Sequence, residues 1–146
     1  MKVIIGSLIC DKDKVLMVQE GSKNRYGLWN FPSGHLENNE SIIDGVIRET
    51  FEETGYNINV KGVLPIQELY RDNDKYIIIR LVGEIVSYDS NHKLDGIIQS
   101  KWFNIDDVFK MKKEDVRGYD ANIRILNHYL ENKVYPIELF EDVYFE

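Results

Sequence analysis

Residues 34–56 read GHLENNESIIDGVIRETFEETGY, and this stretch decides the fold. Ser41 stands where it can cap a helix, with Asp44 three residues on in a variant of the capping box. Gly55 stands where a left-handed residue usually ends one. The span Ser41 to Thr54 therefore predicts a helix. At about 100° per residue, Ile43, Val46, Ile47, Thr50 and Thr54 share one side and form a core face. Glu49, Glu52 and Glu53 fall at i, i+3 and i+4 on a neighbouring side, with Arg48 the nearest basic residue. Such like charges weaken an isolated helix by about a few tenths of a kcal/mol per pair. Taken alone, ETFEE is better read as a solvated acidic face. Hard cations such as Mg²⁺ or Mn²⁺, which take oxygen ligands, would make the cluster favourable.

Outward from the helix, Lys2–Cys10 and Val15–Gln19 are apolar runs joined by DKDK, which predicts a hairpin. Gly21–Gly34 reads as a loop, with Gly, Asn, Ser and Pro interrupting Trp29 and Phe31. Downstream, Asn57–Leu69 and Tyr76–Val86 predict two strands separated by the turn signal RDND. Gln99–Phe103 predicts a short strand, followed by a small helix capped at Asn104, and Ala121–Leu130 a last helix. Strands in hairpins with helices between and after them point to an α/β chain with a mixed sheet, not a doubly wound parallel one.

With 146 residues and no repeat, low-complexity tract or linker, one domain over 1–146 is expected. Twenty-five acidic against eighteen basic residues give a formal charge of −7, which argues against broad binding to nucleic acid or anionic membranes. A polyanionic substrate remains compatible, because bound cations reverse the local charge of an acidic site. Cys10, the lone cysteine, lies in the apolar run VIIGSLIC and reads as a core residue. That run is too short to span a bilayer, and no charged leader surrounds it, so a cytoplasmic protein is expected.

The segment 34–56 resembles the signature box of the Nudix hydrolases, G-x5-E-x7-R-E-U-x-E-E-x-G-U, where U is a bulky aliphatic residue. All seven fixed positions match, at Gly34, Glu40, Arg48, Glu49, Glu52, Glu53 and Gly55. The departures are Thr50 and Tyr56 at aliphatic positions, which affect packing and leave the chemistry alone. Upstream, LWNFPSGHLE is similar to the family's W-x-x-P-G-G-x-x-E approach, with Ser33 replacing a glycine. The resemblance implies a loop–helix–loop metal site in an α/β/α sandwich with a mixed β-sheet. It also implies hydrolysis of a pyrophosphate bond with Mg²⁺ or Mn²⁺ as cofactor. Carried over, Glu49, Glu52, Glu53 and the carbonyl of Gly34 would be metal ligands. Glu49 would also orient or deprotonate the attacking water, Arg48 would hold the carboxylates, and Glu40 would be structural.

Outside the box, Lys23 and Arg25 could contact a substrate phosphate, although solvated loop charges are the commoner case. Tyr26 and Tyr70 could stack on a ring, whereas Trp29 is expected under the box loop. His35 could reach a phosphate; His92 and His128 lack ligand spacing. Asp95, the only carboxylate in NHKLDGIIQSKWF, is a candidate for touching metal or water. LWNFPSGHLE with LDGIIQSKWFNIDDV is loosely similar to a bacterial Nudix subgroup acting on nucleotides and a thiamine-precursor pyrophosphate. The expected partner is thus a small nucleotide or pyrophosphate substrate, with homodimer formation left open. Two alternatives stand beside it: an RNA 5′-end pyrophosphohydrolase, which the acidic balance disfavours, and a ligand-sensing domain without turnover. Domains of that second kind tend to lose box carboxylates, and none is missing here.

Overall fold

The computed structural model describes residues 1–145. The N-terminal hairpin forms as expected, β1 Lys2–Asp11 pairing antiparallel with β2 Lys14–Glu20 across a tight turn in which Lys12 takes φ 56°. The segment read as a loop carries more order: a 3₁₀ turn at Lys23–Arg25 and the short strands β3 Trp29–Asn30 and β4 Ser33–His35. Both strands find partners from outside the segment, β3 on β2 and β4 on β1. Local composition could not show those ladders.

Helix α1 runs Ile42–Thr54. Ser41 Oγ accepts the Asp44 N–H at 3.1 Å, and Gly55, at φ 78°, sends its N–H to the Phe51 carbonyl. Both ends are therefore closed by the residues expected to close them. The predicted strand Asn57–Leu69 is two strands, β5 Tyr56–Val63 and β6 Gln67–Arg71. They part around Pro65, which has no N–H for a ladder. There Val63 exchanges both backbone bonds with Tyr135. β7 extends over Asp74–Tyr88, entered through a turn with Asp72 and Asn73 at φ 50° and 64°. β8 Ile97–Asn104, α2 Ile105–Phe109 and α3 Tyr119–Leu130 follow, with 3₁₀ turns at Lys113–Asp115 and Ile137–Leu139.

The central order is β3-β2-β1-β7-β5, with β4 on β1, β6 on β7 and β8 on β2. β1 and β7 are parallel and the other pairs antiparallel, so the sheet is mixed. Alternation along β1 distributes the core. Ile5 and Ile9 pack with Val46 of α1, whereas Leu8 packs with Ile125 and Leu126 of α3. Two helical layers thus cover opposite faces of one sheet, an α/β/α sandwich. Among the described residues, no helix is long and apolar enough to cross a membrane.

The unusual Thr50 is explained by packing. It is fully buried, and its hydroxyl bonds the Val46 carbonyl and Ser7 Oγ, each at 2.7 Å, tying α1 to β1. Tyr56 likewise uses its ring and hydroxyl, stacking on Tyr88 and accepting from Trp102 Nε1 at 3.3 Å. Trp29 does not lie under the box loop. It packs edge-on against Phe103, ring centroids 4.8 Å apart, on the α3 side, because β3 pairs with β2 and β2 with β8.

Candidate active site

A cavity of about 610 Å³ opens where β4, the last turns of α1 and the start of α3 meet. Gly34, Glu49, Glu52 and Glu53 all line it, together with Glu37, His35 and Asp95. The helix brings the three carboxylates there by its own periodicity, and β4 lays Gly34 against them. A Cβ at Gly34 would land on the Glu49 carboxylate, so any side chain there would displace that carboxylate.

Arg48 organises the acidic wall. Its Nε and Nη2 donate to the two oxygens of Glu40 at 2.8 and 2.6 Å, a bidentate pair. Nη1 reaches Glu49 Oε1 at 3.0 Å and Glu52 Oε2 at 3.2 Å. Glu40 anchors the guanidinium, which in turn holds two of the carboxylates. The hydrogen bond to Arg48 pulls the Glu40 carboxyl below the usual range. Burial pushes the Glu49 carboxyl up, against the opposing effect of Arg48.

Glu53 is the most buried of the three, 9% exposed, and accepts the Ser33 N–H at 2.9 Å. Burial pushes its carboxyl up to about 9, with the charges of Glu20 and Glu49 adding and the Ser33 bond opposing. A cation nearby would favour the ionised form of a carboxyl so placed, its proton being released to solvent. Among the described residues, no three acidic, histidine or cysteine side chains converge on a single ligating point. Glu49 and Glu52 lean on Arg48 instead.

The other expected contacts divide. Arg25 and Asp95 line the cavity; Lys23, Tyr26 and Tyr70 do not. The 3₁₀ turn separates Arg25 from Tyr26: Arg25 Nε donates to Ser22 Oγ at 2.8 Å, and Tyr26 stands 70% exposed. Tyr70 is equally exposed and lies under the Lys75 ammonium. The Asp95 N–H donates to the Glu52 carbonyl at 2.9 Å, and a His92 ring nitrogen lies 3.0 Å from the same oxygen. These contacts fix the 89–96 loop to the end of α1.

Sequence reading missed a second set of residues at the α3 end of the cavity. Glu20, 6% exposed, pairs with Arg117 Nη1 at 3.2 Å. Arg80, 4% exposed, donates through Nη2 to Asn122 Oδ1 at 2.6 Å. Asn122 Nδ2 donates to Asn30 Oδ1 at 2.9 Å, and Asn30 Nδ2 to Ser33 Oγ at 3.2 Å. A chain of polar contacts thus links Arg80 to the strand that holds Glu53. The available signal was one charged residue inside the apolar run YIIIRLVG.

Comparison with known proteins agrees with this architecture. The NUDIX domain family matches residues 2–123. The chain is similar to the 8-oxo-dGDP phosphatase NUDT18 of Danio rerio, 41% identical over 136 residues, covering 92% of this chain and 41% of that protein. It is also similar to putative nudix hydrolase 1 of Caenorhabditis elegans, 32% identical over 112 residues, covering 75% of this chain and 29% of that one. The chain therefore spans well under half the length of these curated relatives. A NUDIX hydrolase structure from Nitrosomonas europaea superposes with a TM-score of 0.91 at 30% identity, covering 97% of both chains. The NUDIX domain of Shewanella oneidensis NrtR, solved with ADP ribose, shares the fold with a TM-score of 0.73 at 19% identity, over 90% of this chain and 88% of that one. With its box helix, its mixed sheet and a family match over most of its length, this chain belongs to the Nudix family.

Proposed function

We propose that this chain is a divalent-metal-dependent hydrolase of a pyrophosphate bond in a small nucleoside-diphosphate-linked or nucleotide substrate, with Mg²⁺ or Mn²⁺ as the metal. The observation that carries the reading is the gathering of Glu49, Glu52, Glu53 and Gly34 on one wall of a cavity large enough for a nucleotide. The all-oxygen donor set suits hard cations, and the buried Glu53 gains from a positive partner. Glu49, Glu52, Glu53 and the Gly34 carbonyl would hold the metal. When bound, it supplies charge neutralisation at the diphosphate and acidification of a water.

The chain's own groups do the positioning. Arg48, anchored by Glu40, orients Glu49 and Glu52, and the Ser33 N–H orients Glu53. Glu49 is the candidate base, since it is largely shielded from water and beside Gly34. Asp95, tied to the last turn of α1, is a second carboxylate able to reach water in the cavity. The relative named as an 8-oxo-dGDP phosphatase supports a small phosphorylated substrate. Arginines line a concave cavity here, which suits a small ligand better than an RNA end.

A panel of nucleoside diphosphates, triphosphates and nucleoside diphosphate sugars with Mg²⁺, read for orthophosphate with and without added phosphatase, tests the reading. Turnover that is abolished by EDTA and restored by Mg²⁺ or Mn²⁺ is expected. Activity persisting in excess chelator, or no turnover across the panel, refutes it.

A further inference from the structure

The α3 end of the cavity concentrates positive charge that the chain itself neutralises only in part. Arg71 arrives from β6, Arg80 from β7 and Arg117 from the segment before α3, and all three line the cavity. Arg117 has a carboxylate partner in Glu20. Arg80 has none among the described residues, where its guanidinium makes a single hydrogen bond, to the neutral Asn122 side-chain carbonyl. Its Nε and Nη1 are shielded from water and bond nothing. The guanidinium lies 5.7 Å from the centre of the Phe31 ring, which offsets only part of an unpaired buried charge. Burial and the neighbouring Arg117 charge pull Arg80 down to about 10, and burial with the charge of Arg25 also pulls Arg117 down. Helix α3 adds to the same end. Its N-terminus carries no side-chain cap among the described residues, and its first-turn Ala121 and Asn122 face the cavity.

We propose that Arg71, Arg80, Arg117 and the open N-terminus of α3 form an oxyanion subsite that holds an anionic group of the ligand apart from the carboxylate wall. Arg117 already meets one carboxylate, Glu20, whereas Arg80 meets none among the described residues. An unpaired, water-shielded cation on a cavity wall is instead completed by a charge that arrives with the ligand. Under the proposed function, the substrate carries an oxyanion, phosphate or carboxylate, in addition to the diphosphate groups at Glu49, Glu52 and Glu53. The subsite deepens that function by naming a substrate class, and its test is kept independent of turnover.

The experiment is binding to the metal-free protein in EDTA, by calorimetry and thermal shift at fixed ionic strength. Inorganic phosphate, malonate and uncharged adenosine serve as separate probes. Expected is an oxyanion that binds and stabilises the protein, with phosphate against malonate deciding which group the subsite takes. Arg80→Met and Arg71→Gln should each weaken that binding by about tenfold or more. Ligand-free Arg80→Met should melt no lower than the wild type, because it removes an unpaired buried charge. That result separates ligand binding from a structural role. Should Arg80→Met fail to fold, the exposed Arg71 decides, since its replacement leaves the core intact. The proposal is overturned if neither anion binds, if both variants bind as the wild type does, or if adenosine is the probe that depends on Arg80. Anion binding without hydrolysis of any substrate would refute the proposed function and leave the subsite standing.

Discussion

Replacing Glu53 by Gln should make the metal-free protein more stable while removing its activity. Glu53 is 9% exposed and its carboxyl is raised from 4.5 to about 9 by burial. A carboxyl raised in the folded state contributes stability fully below its unfolded value, and that contribution is lost as pH climbs toward the folded value. The window is therefore about 4.5 to 9. Within it, stability falls by up to about 1.4 kcal/mol per pH unit from this group. By pH 7.5, three units above the unfolded value, the loss is at most about 4 kcal/mol. Gln is nearly isosteric, keeps an oxygen for the Ser33 N–H, and does not titrate. Thermal melts in EDTA from pH 5 to pH 8.5 should start together and diverge, with the variant higher at the alkaline end. For a chain of this size each kcal/mol moves Tm by about 2–4 °C, so a difference of several degrees is expected. Turnover with Mg²⁺ should fall by orders of magnitude in the same variant. Parallel melting curves across that range would show that Glu53 is not held against its ionisation.

Two further outcomes follow from named contacts. Arg48→Met should leave the Glu40, Glu49 and Glu52 carboxylates facing one another, costing about 2–4 kcal/mol in the metal-free protein; added Mg²⁺ should recover part of the loss, and denaturant melts with and without metal check this. Thr50→Val places an aliphatic residue at a box position that expects one, yet should destabilise by about 1–2 kcal/mol by stranding Ser7 Oγ. In a double-mutant cycle, adding Ser7→Ala should recover most of that loss, and additive effects would show that the pair is uncoupled.

Much of this protein was written locally. Ser41, Gly55 and the spacing of Glu49, Glu52 and Glu53 sit within a few turns of one helix, so capping chemistry and a 3.6-residue period suffice to read them. The first hairpin and the turn at Asp72–Asn73 are legible for the same reason. Legibility fails where a partner is distant in sequence. β3 and β4 look like loop because their ladders lie on β2 and β1. Trp29 was misplaced because Phe103, 74 residues on, reaches it only through β8.

The site divides along the same line. Sequence by itself determined the acidic wall, since one helix and one glycine carry nearly all of it. Only the tertiary structure decided the other end. Arg80 stands among apolar strand residues and shows no role until β7 pairs in parallel with β1 and α3 closes over that face. Glu20 and Arg117 are 97 residues apart, and Asn30 and Asn122 are 92. Buried polar groups must find partners wherever the fold supplies them, and those partners are set by register and layer, which no local window contains. The carboxylates of the Nudix box are therefore an inheritance of helix periodicity, and the arginines that face the ligand are a product of the packed sandwich.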